Sequence, residues 1–192
     1  KEGINVLMTN LTGKVPPILQ RLDYIRFNGE AAGYLHDLTL TGLFHTGAGM
    51  VKTDVMMSID EQSMSRTYSG SVASADLDLG KLLNQEKKFG KVDFNVELKG
   101  FNYKNRYPES YIKGIISSFE YSQYQYENIM LDGVYKDGGF NGRLSMDDAN
   151  GSVQIDGNFN VAKTIPDFNL KASVKNLRPH DLHLSDKYEN AS

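Results

Sequence analysis

Between Phe89 and Asn176 apolar and polar residues alternate one by one, and each run is closed by Gly, Asn or Asp. In Gly90-Lys-Val-Asp-Phe-Asn-Val-Glu-Leu-Lys-Gly100 the apolar positions are Val92, Phe94, Val96 and Leu98, and charged or polar residues fill the positions between. Successive side chains of a strand point to opposite faces, so a period of two predicts a sheet with one apolar and one polar side. Applied along the chain, the same reading gives strands over 92–101, 111–121, 126–135, 139–146, 152–161 and 167–176. The links Lys136-Asp-Gly-Gly139 and Asp147-Asp-Ala-Asn-Gly151 are rich in residues that tolerate positive φ and predict tight turns.

The first third is less regular. It predicts a short edge strand at 4–8 and a short helix over 16–22 with Pro16 and Pro17 at its first positions. Strands follow over 24–31 and 34–44, where Gly29, Gly33 and Gly42 mark bends or bulges. A hairpin of 50–59 with 66–75 closes around Asp60-Glu-Gln-Ser63. The alternation then breaks once, at Asp76-Leu-Asp-Leu-Gly-Lys-Leu-Leu-Asn84, where Leu79, Leu82 and Leu83 stand at helical spacing. This predicts a short helix capping one end of the sheet.

The fold expected is all-β: a long antiparallel meander, shaped as a curved groove or an open sandwich, with one or two short helices. Its organisation is a single β-rich segment, with strands in 1–76, the helix in 77–88 and strand–turn repeats in 89–192. One concave apolar side should carry the four residues named above together with Phe140, Leu144 and Met146. The next two strands add Val153, Ile155, Phe159 and Val161, then Phe168, Leu170 and Val174. A one-residue slip would turn any of these strands inside out, so the assignment is sharp. If function is legible in this chain, it lies in what that apolar side covers.

Composition narrows the classes. The 192 residues carry a net charge of −3 with basic residues spread singly, and Lys87-Lys88 is the only basic pair, so the clustered cations of a nucleic-acid surface are missing. With no cysteine, a disulfide scaffold and a thiolate metal site are excluded. No stretch approaches the roughly 18 apolar residues of a membrane helix. The chain opens on Lys1 and reads as a piece of a larger protein.

Candidate chemistry is sparse. Asp147-Asp-Ala-Asn-Gly151 has the oxygen density of a calcium loop, but its carboxylates are contiguous and hairpin-turn chemistry accounts for them. His180 and His183 stand at i, i+3 with Asp181 between and Asp186 beyond, a weak zinc pattern in what reads as a polar closing loop. Tyr121, Tyr124, Tyr126 and Tyr135, with Tyr103, Tyr107 and Tyr111, could stack a sugar, yet β-propensity explains their positions and no Trp joins them. No nucleophile elbow or phosphate loop occurs, which points away from an enzyme and implies no cofactor.

The segment 131–160, LDGVYKDGGFNGRLSMDDANGSVQIDGNFN, resembles the large envelope proteins of the TamB and AsmA-like group, and more narrowly the TamB-type chains of Bacteroidetes. Leu77-Asp-Leu-Gly-Lys-Leu-Leu83 followed by the run 90–100 is similar to a unit recurring in that group, and Asn176-Leu-Arg-Pro-His-Asp-Leu-His-Leu184 looks like the start of another. The resemblance implies a β-sheet folded lengthwise around a hydrophobic interior, in the periplasm of a Gram-negative bacterium, as part of a protein anchored in the inner membrane. It also implies a role in conducting phospholipid, or another acyl lipid, toward the outer membrane, with an assembly partner of the Omp85 class. An isolated fragment of such a groove should leave an apolar patch larger than is usual on a monomer, one that binds lipid, detergent or a second copy of itself. Two other readings share the alternation. One is a secreted or surface β-sandwich that binds carbohydrate or protein; the other is a small outer-membrane barrel, which the internal helix disfavours.

Overall fold

The computed structural model describes residues 21–34, 36–63, 65–102, 109–160 and 166–183. The strand expected at 4–8, Val161, Tyr103, Tyr107 and most of the helix expected over 16–22 lie outside them; Arg21 and Leu22, at the end of that span, are not helical.

Ten strands form one antiparallel sheet in strict chain order: β1 (Ile25–Tyr34), β2 (Asp37–Thr46), β3 (Gly49–Asp60), β4 (Ser65–Asp78), β5 (Phe89–Asn102), β6 (Glu109–Tyr121), β7 (Tyr124–Lys136), β8 (Gly139–Asp148), β9 (Gly151–Asn160) and β10 (Asp167–Lys175). The predicted all-β meander is thus the observed fold. The sheet is open and uncurled, with no second layer of strands among the described residues. Because β1 and β10 are the two outer strands and do not pair with each other, the sheet does not close into a barrel.

Local chemistry sets the strand ends. Ser122-Gln123 and Asp137-Gly138 are two-residue links with positive φ at both positions, the backbone that matches the twist of a hairpin. Tyr34, expected to open the second strand, instead ends β1, because Gly33 takes φ +104 and the chain turns directly after it. The one helix among the described residues, α1 (Leu79–Leu83), starts where the Asp78 carboxylate accepts the Lys81 N–H at 2.8 Å and stops at Asn84 in the left-handed conformation. Such caps satisfy the amide and carbonyl groups that a single helical turn leaves open.

The well-packed core is small and lies at one end of the sheet. Leu22, Ala48, Leu77, Leu82 and Val92 are buried together beneath α1, with Ile25, Val51, Phe94 and Phe119 packed against them. Arg21 donates to the Leu82 carbonyl at 2.7 Å, and Lys81 reaches both Asp23 at 2.6 Å and the Gly47 carbonyl at 3.0 Å. Register shifts between Ser74 and Leu77 in β4, and between Phe89 and Phe94 in β5, crowd this same end.

The chain after β10 repeats the manoeuvre. Asp76 and Asn176 both take left-handed φ, near 57 and 51. Two residues later the Asp78 N–H donates to Ala48 O at 2.6 Å, and the Arg178 N–H donates to Asn150 O at 2.8 Å. Each contact ties the segment leaving one hairpin to the turn that opened it. Leu182 is then fully buried, the Tyr126 hydroxyl donates to its carbonyl at 2.7 Å, and His183 Nδ1 donates to Ser122 O at 2.8 Å. What read as a polar closing loop is therefore a structural cap over the β6–β9 part of the same sheet end.

Candidate functional site

Opposite residues of an antiparallel pair share a face, so the register fixes both sides of the sheet. On the apolar side, one rung runs Phe27, Phe44, Val51, Ser74, Phe94, Ile116, Ile129, Met146, Val153, Val174 across all ten strands. Every described residue assigned to the apolar side from sequence does lie on this side. They divide into three settings. Val92 belongs to the closed core, 6% exposed, with Phe94 packed against it. Val96, Leu98, Phe140, Met146, Val153 and Ile155 are half-buried by neighbours in the same layer. Leu144, Phe159, Phe168, Leu170 and Val174 are exposed, Phe168 to 71%.

The face extends beyond those residues. Leu40 and Val55 in the first strands, and Ile112 and Leu131 inside the predicted strands 111–121 and 126–135, continue it without a break. The same alternation marks them, although Gly29, Gly42, Gly114 and Gly133 thin the signal. Aromatic rings cover several of these glycines: Phe27 lies over Gly29 and Gly42, and Phe140 over Gly133. Gly157, with φ +144, could carry a side chain only under strain, since a Cβ there would meet the Asn169 carbonyl.

The polar side carries a second order. One rung reads Glu30, Thr41, Asp54, Ser71, Glu97, Lys113, Asp132, Arg143, Asp156, Lys171. From Glu97 onward its charges alternate in sign on six neighbouring strands. Lys113 stands 3.7 Å from Asp132 and Arg143 2.6 Å from Asp156. The Gln154 amide and the Arg143 guanidinium hold the Asp156 carboxyl below its usual value. Each exposed pair is worth little alone, but a slip of register would set like charges side by side.

The sheet, open and uncurled, does not fold lengthwise around the apolar side as the expected groove would. Two depressions, of about 490 and 510 Å³, open on the polar side. Met56, Ser69, Lys99, Tyr111 and Val134 line the first, and Glu97, Lys113, Ile115 and Met130 the second. Ile115 escaped the alternation reading because Ile116 follows it, and one of two adjacent apolar residues must face the polar side.

The other candidates resolve into structural roles. The Asp148 carboxylate accepts the Asn150 N–H at 2.9 Å, the Glu127 N–H at 3.1 Å and the Tyr124 hydroxyl, so it fastens its turn. Among the described residues, no three His, Asp or Glu side chains gather into a metal set. Tyr126 is 7% exposed, and burial pushes its hydroxyl up from the ordinary phenol value. Burial, then the bond to Asp148, does the same for Tyr124. Neither ring is presented as a stacking platform. No helix among the described residues is long and apolar enough to cross a membrane, which says nothing of a β-barrel. Comparison of the chain with protein-family models, curated proteins and solved structures gives no match in any of the three.

Proposed function

We propose that the chain is a non-enzymatic segment of a TamB/AsmA-like envelope protein whose apolar face holds lipid acyl chains in the periplasm. The observation that carries this reading is the unbroken apolar side of a single-layer sheet, covered at one end by α1 and the 176–183 cap and, among the described residues, by no other element along the rest. Ten strands about 4.8 Å apart, each roughly ten residues long at about 3.3 Å per residue, give a face of about 1,400 Å², beyond the few hundred Å² of contiguous apolar surface usual on a monomer. Such a surface needs an occupant, and acyl chains match it because they demand apolar contact and no hydrogen bonds. On this reading, phospholipid passing toward the outer membrane is the cargo, and an Omp85-class assembly protein is the partner. The secreted β-sandwich reading loses weight because its second sheet has no counterpart among the described residues.

The test is capture of a fluorescent phospholipid by the purified chain, with native mass spectrometry for co-purified lipid. Stoichiometric capture that Leu144→Asp and Ile155→Asp abolish, with folding retained, is the expected result. A folded wild-type chain that takes up no lipid would end the proposal.

A further inference from the structure

Four successive rungs of the apolar side, from the one holding Phe94 to the one holding Tyr68, carry no charged side chain on any of the ten strands. The next position along β4 breaks that rule. Arg66 follows Tyr68, Gly70 and Val72 on the same side, opposite Ile59 on β3 and Asn102 on β5. It is half-buried, and its guanidinium has no ion or hydrogen-bond partner among the described residues. The Asn102 Oδ1 is buried and likewise has none. Such groups are few in natural structures because each open buried acceptor is costly. One rung further in, Tyr68 lies over Gly100 and its hydroxyl meets that of Ser110, with Tyr135 opposite Ser110 on the next strand. The three rungs between these hydroxyls and the core beneath α1 are apolar but for Thr53 and Ser74. Along the strands the order is therefore cation, hydroxyls, hydrocarbon.

We propose that the Arg66 end of the apolar side is an anionic headgroup site, where the guanidinium takes the phosphate of an amphiphile whose acyl chains run toward α1. This rests on the reading of the apolar side as a lipid-holding face and gives that face a direction. The planar fork of an arginine offers two parallel N–H donors to phosphate oxygens. The hydroxyls of Tyr68 and Ser110 stand where the ester linkage falls. There is room for the chains: β4 from Arg66 to Ser74 covers about 26 Å, more than the roughly 15 Å half-thickness of a bilayer's hydrocarbon core.

Binding of dioleoyl phosphatidylglycerol and of dioleoylglycerol to the full 192-residue chain, each in micelles of an uncharged maltoside, tests it. The two lipids share their chains and differ in the phosphate-bearing headgroup. Arg66→Gln should weaken phosphatidylglycerol binding about tenfold, the scale of charge-assisted hydrogen bonds, and leave dioleoylglycerol binding unchanged. Arg66→Lys should keep part of the difference. Inorganic phosphate, which has the same oxygens without the chains, should compete only at far higher concentration. Because the chain has no Trp, Tyr135→Trp and Ile129→Trp, at opposite ends of one strand, read the direction. Lipid brominated at its acyl-chain ends should quench Ile129→Trp more strongly. Equal phosphatidylglycerol binding by wild type and Arg66→Gln would overturn the headgroup site, leaving Arg66 a side chain that reaches into water while the face keeps its lipid. Equal losses for both lipids, free phosphate competing as well as the lipid, or stronger quenching of Tyr135→Trp would overturn it too. Binding of neither lipid would end this proposal and the lipid reading together.

Discussion

An aspartate placed at Val92 and one placed at Ile155 should have very different costs, although both positions lie on the same side of the sheet. Val92 is 6% exposed beneath α1, in contact with Leu77 and Leu82. Burial of such a side chain contributes about 1.5–3 kcal/mol, and a carboxylate left there without a partner adds several more. The sum, above about 4 kcal/mol, approaches the whole stability of a small domain. Ile155 is only half-buried, with water at hand, so an aspartate there forfeits about half of that apolar term and up to ~1 kcal/mol of strand preference. The expected cost is about 2 kcal/mol. Urea unfolding followed by circular dichroism measures both, since the chain has no Trp to report. Val92→Ala, expected to cost about 2 kcal/mol through two lost methyl groups and the hollow they leave, keeps the core site measurable if Val92→Asp does not fold. Equal losses at Val92→Asp and Ile155→Asp would refute the reasoning, for they would mean that something covers Ile155 in solution.

Leu182→Ala should cost about 2–5 kcal/mol, because Leu182 is fully buried; a thermal shift under a degree or two would show that 176–183 does not hold its end of the sheet. The Tyr126 hydroxyl has a folded pKa raised by burial, so its contribution is complete below about pH 10 and fades as pH rises through the raised value. Melting temperatures from pH 8 to 11 should therefore fall less steeply for Tyr126→Phe, which at neutral pH costs about 1 kcal/mol by leaving the Leu182 carbonyl without its donor. Gly157→Ala should destabilise by more than ~1 kcal/mol, since φ is +144 and the new Cβ would strike the Asn169 carbonyl; a neutral result in the same urea assay would contradict that backbone.

Strand identity and facing were readable from the sequence because both follow from one local rule. Val92 through Leu98 and Val153 through Phe159 point where a period of two sends them, and α1 sits where Leu79, Leu82 and Leu83 break that period. What was not readable depends on distant contacts. Leu182 stands alone between Asp181 and His183, with no periodicity to mark it, yet it is the most deeply buried side chain described. Tyr34 read as the start of a strand because an in-line glycine and a turning glycine look alike in sequence, and only the φ of Gly33 separates them. Whether the apolar side is covered could not be read at all, since alternation is the same for an open layer and for half of a sandwich. The depressions beside Met56 and Met130 are bounded by side chains of several strands, which no single strand encodes.

The strict chain order of the strands makes this molecule behave as a line. Among the described residues every strand pairs only with the one before and the one after it. Nearest-neighbour coupling of this kind makes stability a sum of hairpin and interface terms, as in repeat proteins. Damage then stays local: a weakened β2 loosens β1 and β3 but leaves β8 and β9 in place. Amide exchange should accordingly rise toward both edges and be slowest in β4 to β7, where the strands are longest and both caps are anchored. Contacts between chain neighbours also keep loop closure short, so folding can begin at any hairpin and spread in both directions. Such a sheet can be lengthened or shortened by whole hairpins without redesigning what remains.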